Sequence, residues 1–92
     1  MIVRIATEGQ YEVPDDDAAT LEQLDNDAVA ACDAGDEQQF QATFTRLIEH
    51  VRDKGQPVPE DRLEPSDVIL PPPDVSFEEA QAEFSGEGLI PG

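Results

Sequence analysis

The sequence has few of the residues from which reaction centres are built. Cysteine and histidine occur once each, as Cys32 and His50. A disulfide within the chain is therefore excluded, and any zinc or imidazole-based site would depend on these two residues. Cys32 falls on the apolar face of a predicted helix, where a thiol behaves as a small hydrophobic group. No glycine-rich phosphate loop, HExxH or CxxC motif occurs. We therefore expect no enzymatic activity, no metal and no cofactor.

Basic residues are also scarce, because Lys and Arg total 5 against 22 Asp and Glu, which gives a formal net charge of −17. Such a surface repels nucleic-acid phosphates and anionic lipid head groups. One tyrosine and four phenylalanines provide too few aromatic rings for a base-stacking surface. Direct binding to nucleic acid or insertion into a membrane is not expected. The charge itself fits either a solubilising surface or an acidic face for a basic partner.

The sequence shows no long apolar run and no basic-plus-apolar signal at its amino terminus, so we expect a soluble, cytoplasmic protein. Its 92 residues predict one small α+β domain, residues 1–92. The predicted parts are a β-hairpin (1–13), a helical hairpin (18–54), a proline-rich extended segment with a short strand (56–75), and a short helix with a tail (76–92).

The opening stretch MIVRIATEGQYEV predicts the hairpin. A three-residue loop at 7–9, with Gly9 in the left-handed conformation, places apolar residues opposite each other on one face. The pairs expected from this register are Val3 with Val13, Arg4 with Glu12 and Ile5 with Tyr11.

Two amphipathic helices are predicted next, from about Ala18 to Ala34 and from Asp36 to about Lys54. Asp15, Asp16 and Asp17 are candidate caps of the first helix, Gly35 ends it, and Asp36 caps the second. The last turns of the second helix, where cations offset the negative end of the helix dipole, contain His50, Arg52 and Lys54. The apolar positions at helical spacing are Leu21, Leu24, Ala28, Ala31 and Cys32 on the first helix, with Val29 toward one edge, and Phe40, Phe44, Leu47, Ile48 and Val51 on the second.

The last third of the chain is rich in proline and predicts one short strand and one short helix. Val68, Ile69 and Leu70 form the strand, which we expect to lie against the hairpin. Ser76 and Glu79 match a capping box. The helix that follows has Phe77, Ala80 and Phe84 on its apolar face and ends near Gly86 and Gly88. Leu89 and Ile90 predict a tail packed on the core, with a free recognition tail as the alternative.

The stretches MIVRI, EGQY, EPSDVILPP and EGLIPG, in this order and at this spacing, resemble the PspA-associated protein family, PspAA, of the phage-shock-type envelope stress response. The resemblance covers nearly the whole chain. It implies a small cytoplasmic partner of PspA, a coiled-coil membrane-remodelling protein that protects the bilayer, and it implies no catalysis, metal or cofactor.

The matching stretches provide the candidate partner-binding residues. These are Gly9, Gln10 and Tyr11 in the hairpin turn, Pro65, Ser66 and Asp67 before the third strand, and Gly88, Leu89, Ile90 and Pro91 at the end of the chain.

The resulting hypothesis is a non-enzymatic adaptor that binds a PspA-like protein and reaches the inner face of the membrane through it. Recognition could use an exposed face of the helical hairpin or the open edge of the sheet. The competing hypothesis is an acidic decoy that mimics nucleic acid and blocks a basic groove. The sequence leaves the oligomeric state open.

Overall fold

The computed structural model describes residues 1–59, 61–62 and 64–84 and has the predicted α+β architecture. A sheet with strand order β3-β2-β1-β4 packs one face on two antiparallel helices. The elements are β1 (Ile2–Ile5), β2 (Gly9–Glu12), α1 (Ala18–Ala34), α2 (Glu37–Lys54), β3 (Gln56–Pro57), β4 (Val68–Leu70) and α3 (Phe77–Glu83).

The hairpin has the predicted loop length but a different register. Val3 lies opposite Tyr11 and Ile5 opposite Gly9, so the predicted pairs of Val3 with Val13, Arg4 with Glu12 and Ile5 with Tyr11 are wrong by two residues. The loop is 6–8, in which Thr7 has the left-handed φ of +73°. Because the register is shifted by two residues, every side chain stays on the face of the sheet that was predicted for it. The apolar residues Val3 and Tyr11 therefore lie opposite each other.

The physical reason for this register lies at the amino terminus. The Val13 amide donates to the Met1 carbonyl oxygen at 2.8 Å, and the Met1 ammonium donates to the Val13 carbonyl oxygen at 2.9 Å. The ladder thereby extends to the first residue, which the predicted register would leave without these bonds. The Met1 ammonium also lies 3.3 Å from Asp15, one of the three predicted caps.

The two edge strands complete the sheet in different ways. β4 is the predicted third strand, and it runs parallel to β1 with Arg4 opposite Ile69. β3 was not predicted, because it is only two residues long and includes Pro57. It pairs antiparallel with β2 and opposes Tyr11 and Glu12. β1 is therefore an inner strand with hydrogen-bonded neighbours on both sides.

The helix bounds agree with the prediction, but the caps agree only in part. Asp36 accepts from the Gln39 amide at 3.1 Å and caps α2, and Gly35 ends α1 with a left-handed φ of +69°. Asp15, Asp16 and Asp17 form a 3-10 turn, and no side chain of theirs caps α1. The reason is backbone geometry: Asp17 is already helical, whereas a capping residue is normally extended.

The phenylalanines form one aromatic cluster that joins α2 to α3. Phe40 stacks on Phe44 at a centroid distance of 5.3 Å and meets Phe77 and Phe84 at 5.8 and 5.5 Å. Ser76 caps α3 by accepting from the Glu79 amide at 3.2 Å, and its hydroxyl donates to the Glu79 carboxylate. The predicted helix stop at Gly86 and Gly88 and the tail residues Leu89 and Ile90 lie outside the described residues.

A close contact joins the end of α2 to β2. A Cβ atom on the buried Gly55 would lie 2.5 Å from the Val51 carbonyl oxygen and 2.9 Å from the Tyr11 Cβ. Only glycine permits this approach, because backbone atoms on one side and a strand side chain on the other leave no space. Gly55 thus determines where the chain leaves α2 and enters β3.

We expect Gly55→Ala to destabilise the fold by about 1 to 3 kcal/mol through overpacking. Urea unfolding followed by circular dichroism measures the change. Gly35→Asn is the matched control, because its Cβ would meet nothing within 4 Å and asparagine tolerates the left-handed conformation. Equal midpoints for Gly55→Ala and the wild-type chain would contradict this account of the contact.

Candidate functional site

A cleft of about 820 Å³ lies between the hairpin and the segment that follows α2. It brings together the hairpin and the proline-rich segment, in which the bonded residues Gln10 and Glu64 are 54 positions apart. Its described lining consists of Arg4, Thr7, Glu8, Gly9, Gln10, Tyr11, Pro57, Val58, Pro59, Arg62, Glu64 and Pro65.

Gln10 holds the two walls of the cleft together. Its side-chain amide donates to the Glu64 carbonyl oxygen at 2.7 Å and to the Ser66 hydroxyl at 2.8 Å. Its backbone carbonyl accepts from the Val58 amide at 2.9 Å. One residue of β2 therefore binds both ends of the segment 58–66, and the cleft is built around it.

Asp67 fixes the other end of the same segment to β1. Its carboxylate accepts from the Ile2 amide at 2.8 Å, and its own amide donates to the Ile2 carbonyl oxygen at 2.8 Å. These two bonds place the start of β4 in register with β1. Asp67 is thus a structural residue that aligns the edge strand beside the cleft.

The hairpin loop is anchored to α2 by an ion pair. Arg52 donates to both carboxylate oxygens of Glu8, with its Nε at 3.0 Å, and Tyr11 donates to the same carboxylate at 3.4 Å. The hydrogen bond from Arg52 lowers the pKa of Glu8 below its ordinary value. The dipole explanation for Arg52 is therefore incomplete, because its guanidinium binds a specific partner across the fold.

His50 also contacts a residue across the fold. Its Nε2 lies 3.3 Å from the Asp17 carboxylate, which joins the last turns of α2 to the start of α1. As with Arg52, the sequence position suggested a dipole role and the tertiary structure adds a partner. Two of the three predicted capping aspartates thus lie 3.3 Å from a nitrogen atom elsewhere in the fold, Asp17 from His50 and Asp15 from the terminal ammonium.

Two arginines line the cleft, although the chain has only five basic residues. Arg62 is neutralised by Glu64, at 2.8 Å, and lies 3.9 Å from Glu12. Arg4 is exposed and pairs with no acidic side chain among the described residues. Within a strongly acidic protein, the cleft therefore contains a guanidinium that has no ion-pair partner among the described residues.

The structure brings most of the described candidate residues together. Gly9, Gln10, Tyr11 and Pro65 line the cleft, and Ser66 is bonded to Gln10. Asp67 binds β1 instead. Gly88, Leu89, Ile90 and Pro91 lie outside the described residues.

The sequence prediction did not include Arg4, Arg62 and the wall at 57–59. A signal was available for the arginines, because a basic residue in so acidic a chain is rare.

The reactive residue types are placed for structure. Burial, and to a smaller extent the nearby Asp33 carboxylate, raise the pKa of the Cys32 thiol, which disfavours the nucleophilic thiolate. In the part of the chain that the structure describes, no three His, Cys, Asp or Glu side chains are grouped to hold a metal ion. None of the helices among these residues is both long and apolar enough to span a bilayer.

Comparison with known proteins gives one match. The model of the family described as PspA-Associated protein, PspAA, matches residues 1–92. Searches of the curated proteins and of the solved structures found no match.

We expect Gln10→Glu to destabilise the chain by about 1 to 3 kcal/mol, because a carboxylate cannot donate to the Glu64 carbonyl oxygen and leaves it unpaired. Urea unfolding measures the loss. Gln39→Glu is the matched control, since its partner Thr43 has a hydroxyl that can donate to the new carboxylate. If both variants lose the same stability, the donor role of Gln10 is wrong.

The Glu8–Arg52 pair makes stability depend on pH. Since the pKa of Glu8 is lowered on folding, the pair stabilises the native state above pH 4.5, the ordinary value for this group, and the contribution is lost as pH falls through the folded pKa. We expect the stability difference between wild type and Glu8→Gln to be largest near pH 7 and to shrink as the pH falls below 4.5. Urea midpoints measured across this range test it, and a constant difference would contradict the pairing.

Proposed function

The chain belongs to the PspA-associated protein family, and from this membership we propose that it is a non-enzymatic adaptor that binds a PspA-like coiled-coil protein in the cytoplasm. The observation that carries the proposal is the extent of the match, which includes all of residues 1–92. Because the family is described by its association with PspA, a protein partner is the central expectation.

Charge supports an indirect route to the membrane. A net charge of −17 opposes contact with anionic lipid head groups, and the five basic residues are too few for a polybasic lipid-binding patch. If a protein partner binds the lipid instead, the acidic chain does not have to contact the anionic head groups that repel it. We therefore propose that the adaptor acts at the inner face of the membrane only when PspA takes it there, as part of the response to envelope stress.

The placement of the reactive residues supports a role without catalysis. The raised pKa of Cys32 and its burial on α1 suit a core position. His50 is directed toward Asp17, and this contact joins two helices. The walls of the cleft are instead joined by backbone and amide hydrogen bonds around Gln10, a construction that suits recognition of a polypeptide.

The acidic decoy remains an untested alternative, and the local use of acidic residues gives it no support. Glu8, Asp36 and Asp67 each bind a partner within the fold. A mimic of nucleic acid needs carboxylates free on one face, spaced like phosphates.

The proposal predicts direct binding to PspA. Isothermal titration of the full chain into purified PspA from the same organism should show saturable binding. In cosedimentation with phosphatidylglycerol vesicles, the chain should pellet only when PspA is present. Bovine serum albumin in place of PspA is the control. Absence of binding to PspA, or pelleting with vesicles in the absence of PspA, would contradict the adaptor role.

A further inference from the structure

The sheet is covered by helices on only one of its faces. Strand alternation directs Val3, Ile5, Val68 and Leu70 into the core and places Arg4, Gln10, Glu12 and Ile69 on the opposite face. Arg4, Glu12 and Ile69 are exposed there. We call this surface, defined by Arg4, Gln10, Glu12 and Ile69, the outer sheet face.

Ile69 is the large hydrophobic residue that stands out on the described surface. Its side chain is 59% exposed, whereas its neighbours in β4 are buried. A single exposed isoleucine is ordinary on a protein surface. Its position is informative because the parallel register places it directly beside Arg4.

Arg4 is the second component of this face. It lies on the inner strand β1, with Ile69 on one side and Gln10 on the other, and it also lines the cleft. The acidic residues nearest to the cleft are already engaged, since Arg62 binds Glu64 and Arg52 binds Glu8. The Arg4 guanidinium is therefore available to a carboxylate from outside the described fold.

We propose that PspA docks on the outer sheet face, and that the segment it presents carries an aspartate or glutamate for Arg4 next to an apolar side chain for Ile69; this rests on the proposed function. Arginine binds carboxylates through two parallel hydrogen bonds and is enriched at the energetic centres of interfaces. On the outer sheet face Glu12 repels a carboxylate whereas Arg4 attracts one, so Arg4 determines the register of the bound segment.

The first helix of the helical hairpin, α1, offers a weaker case. Residues 15–37 carry many acids and no basic residue. A purely acidic surface would attract any basic protein, and it does not specify an orientation. The outer sheet face places the Arg4 charge directly beside the apolar Ile69 in the strand register, which is the more selective arrangement.

Isothermal titration of PspA with charge-matched variants tests the docking face. Arg4→Glu should weaken binding about tenfold or more, as expected for a central arginine. Arg46→Glu is the matched control, because it changes the net charge equally at an exposed arginine of α2 that also has no ion pair among the described residues. It should change the affinity less than about threefold. Ile69→Thr, which keeps the β-branched shape, should weaken binding about fivefold.

Each outcome bears on one claim. Loss of binding in Arg4→Glu and Ile69→Thr, with Arg46→Glu close to wild type, supports the docking face. Equal weakening in both arginine variants shows an effect of overall charge and overturns it, as does unchanged binding in all three. If wild type itself fails to bind PspA, the proposed function is overturned instead. Urea unfolding verifies that each variant is folded, and Arg4→Gln replaces Arg4→Glu if that variant is not.

Discussion

Hydrogen bonding along both sides of β1 is the constraint on which the rest of the structure depends. On one side β1 binds β2 through the hairpin, and on the other it binds β4 from the last third of the chain. Asp67 closes this second junction with two bonds to Ile2. Because the ladder joins residues 65 positions apart, it also determines where the proline-rich segment must run, and so where the cleft lies.

Gln10 joins β2 to the proline-rich segment, and this contact forms part of the surface of the cleft. A strand residue at that position needs only its backbone bonds to belong to the sheet, but its side chain also binds Glu64 and Ser66. These bonds satisfy backbone and side-chain polar groups in a segment that has little secondary structure of its own. The prolines of this segment have no backbone N–H group to donate. The result is a defined wall of the cleft that Arg4 and Arg62 also line. The cleft therefore arises through local satisfaction of backbone polar groups.

The acidic charge has two physical roles in this protein. Several carboxylates act within a few ångströms, where they cap a helix, bind the terminal ammonium or hold the hairpin loop to α2. The others act over longer distances through the net charge, which opposes contact with phosphate-rich surfaces. The short-range pairs order the fold, and the long-range field limits nonspecific contact, which suits the adaptor role that we propose.

Local chemistry explains which features were predictable. The bounds of α1 and α2, the Asp36 and Ser76 caps and the apolar faces of the helices were predicted correctly, because each depends on residues within one or two turns of helix. The hairpin register was wrong because its deciding bonds link Met1 to Val13, beyond the loop from which the register was inferred. Asp17 was wrong as a cap for a similar reason, since the preceding turn had already made its backbone helical.

The amino-acid sequence by itself determined the α+β class, the acidic character and the family, because composition, periodicity and ordered short stretches are properties of the chain alone. Only the tertiary structure decided the parallel pairing of β4, the partners of Arg52 and His50, and the juxtaposition of Arg4 with Ile69. Contacts between distant segments depend on the path of the chain, and many chain paths are compatible with the same local sequence pattern. The packed core selects one of them.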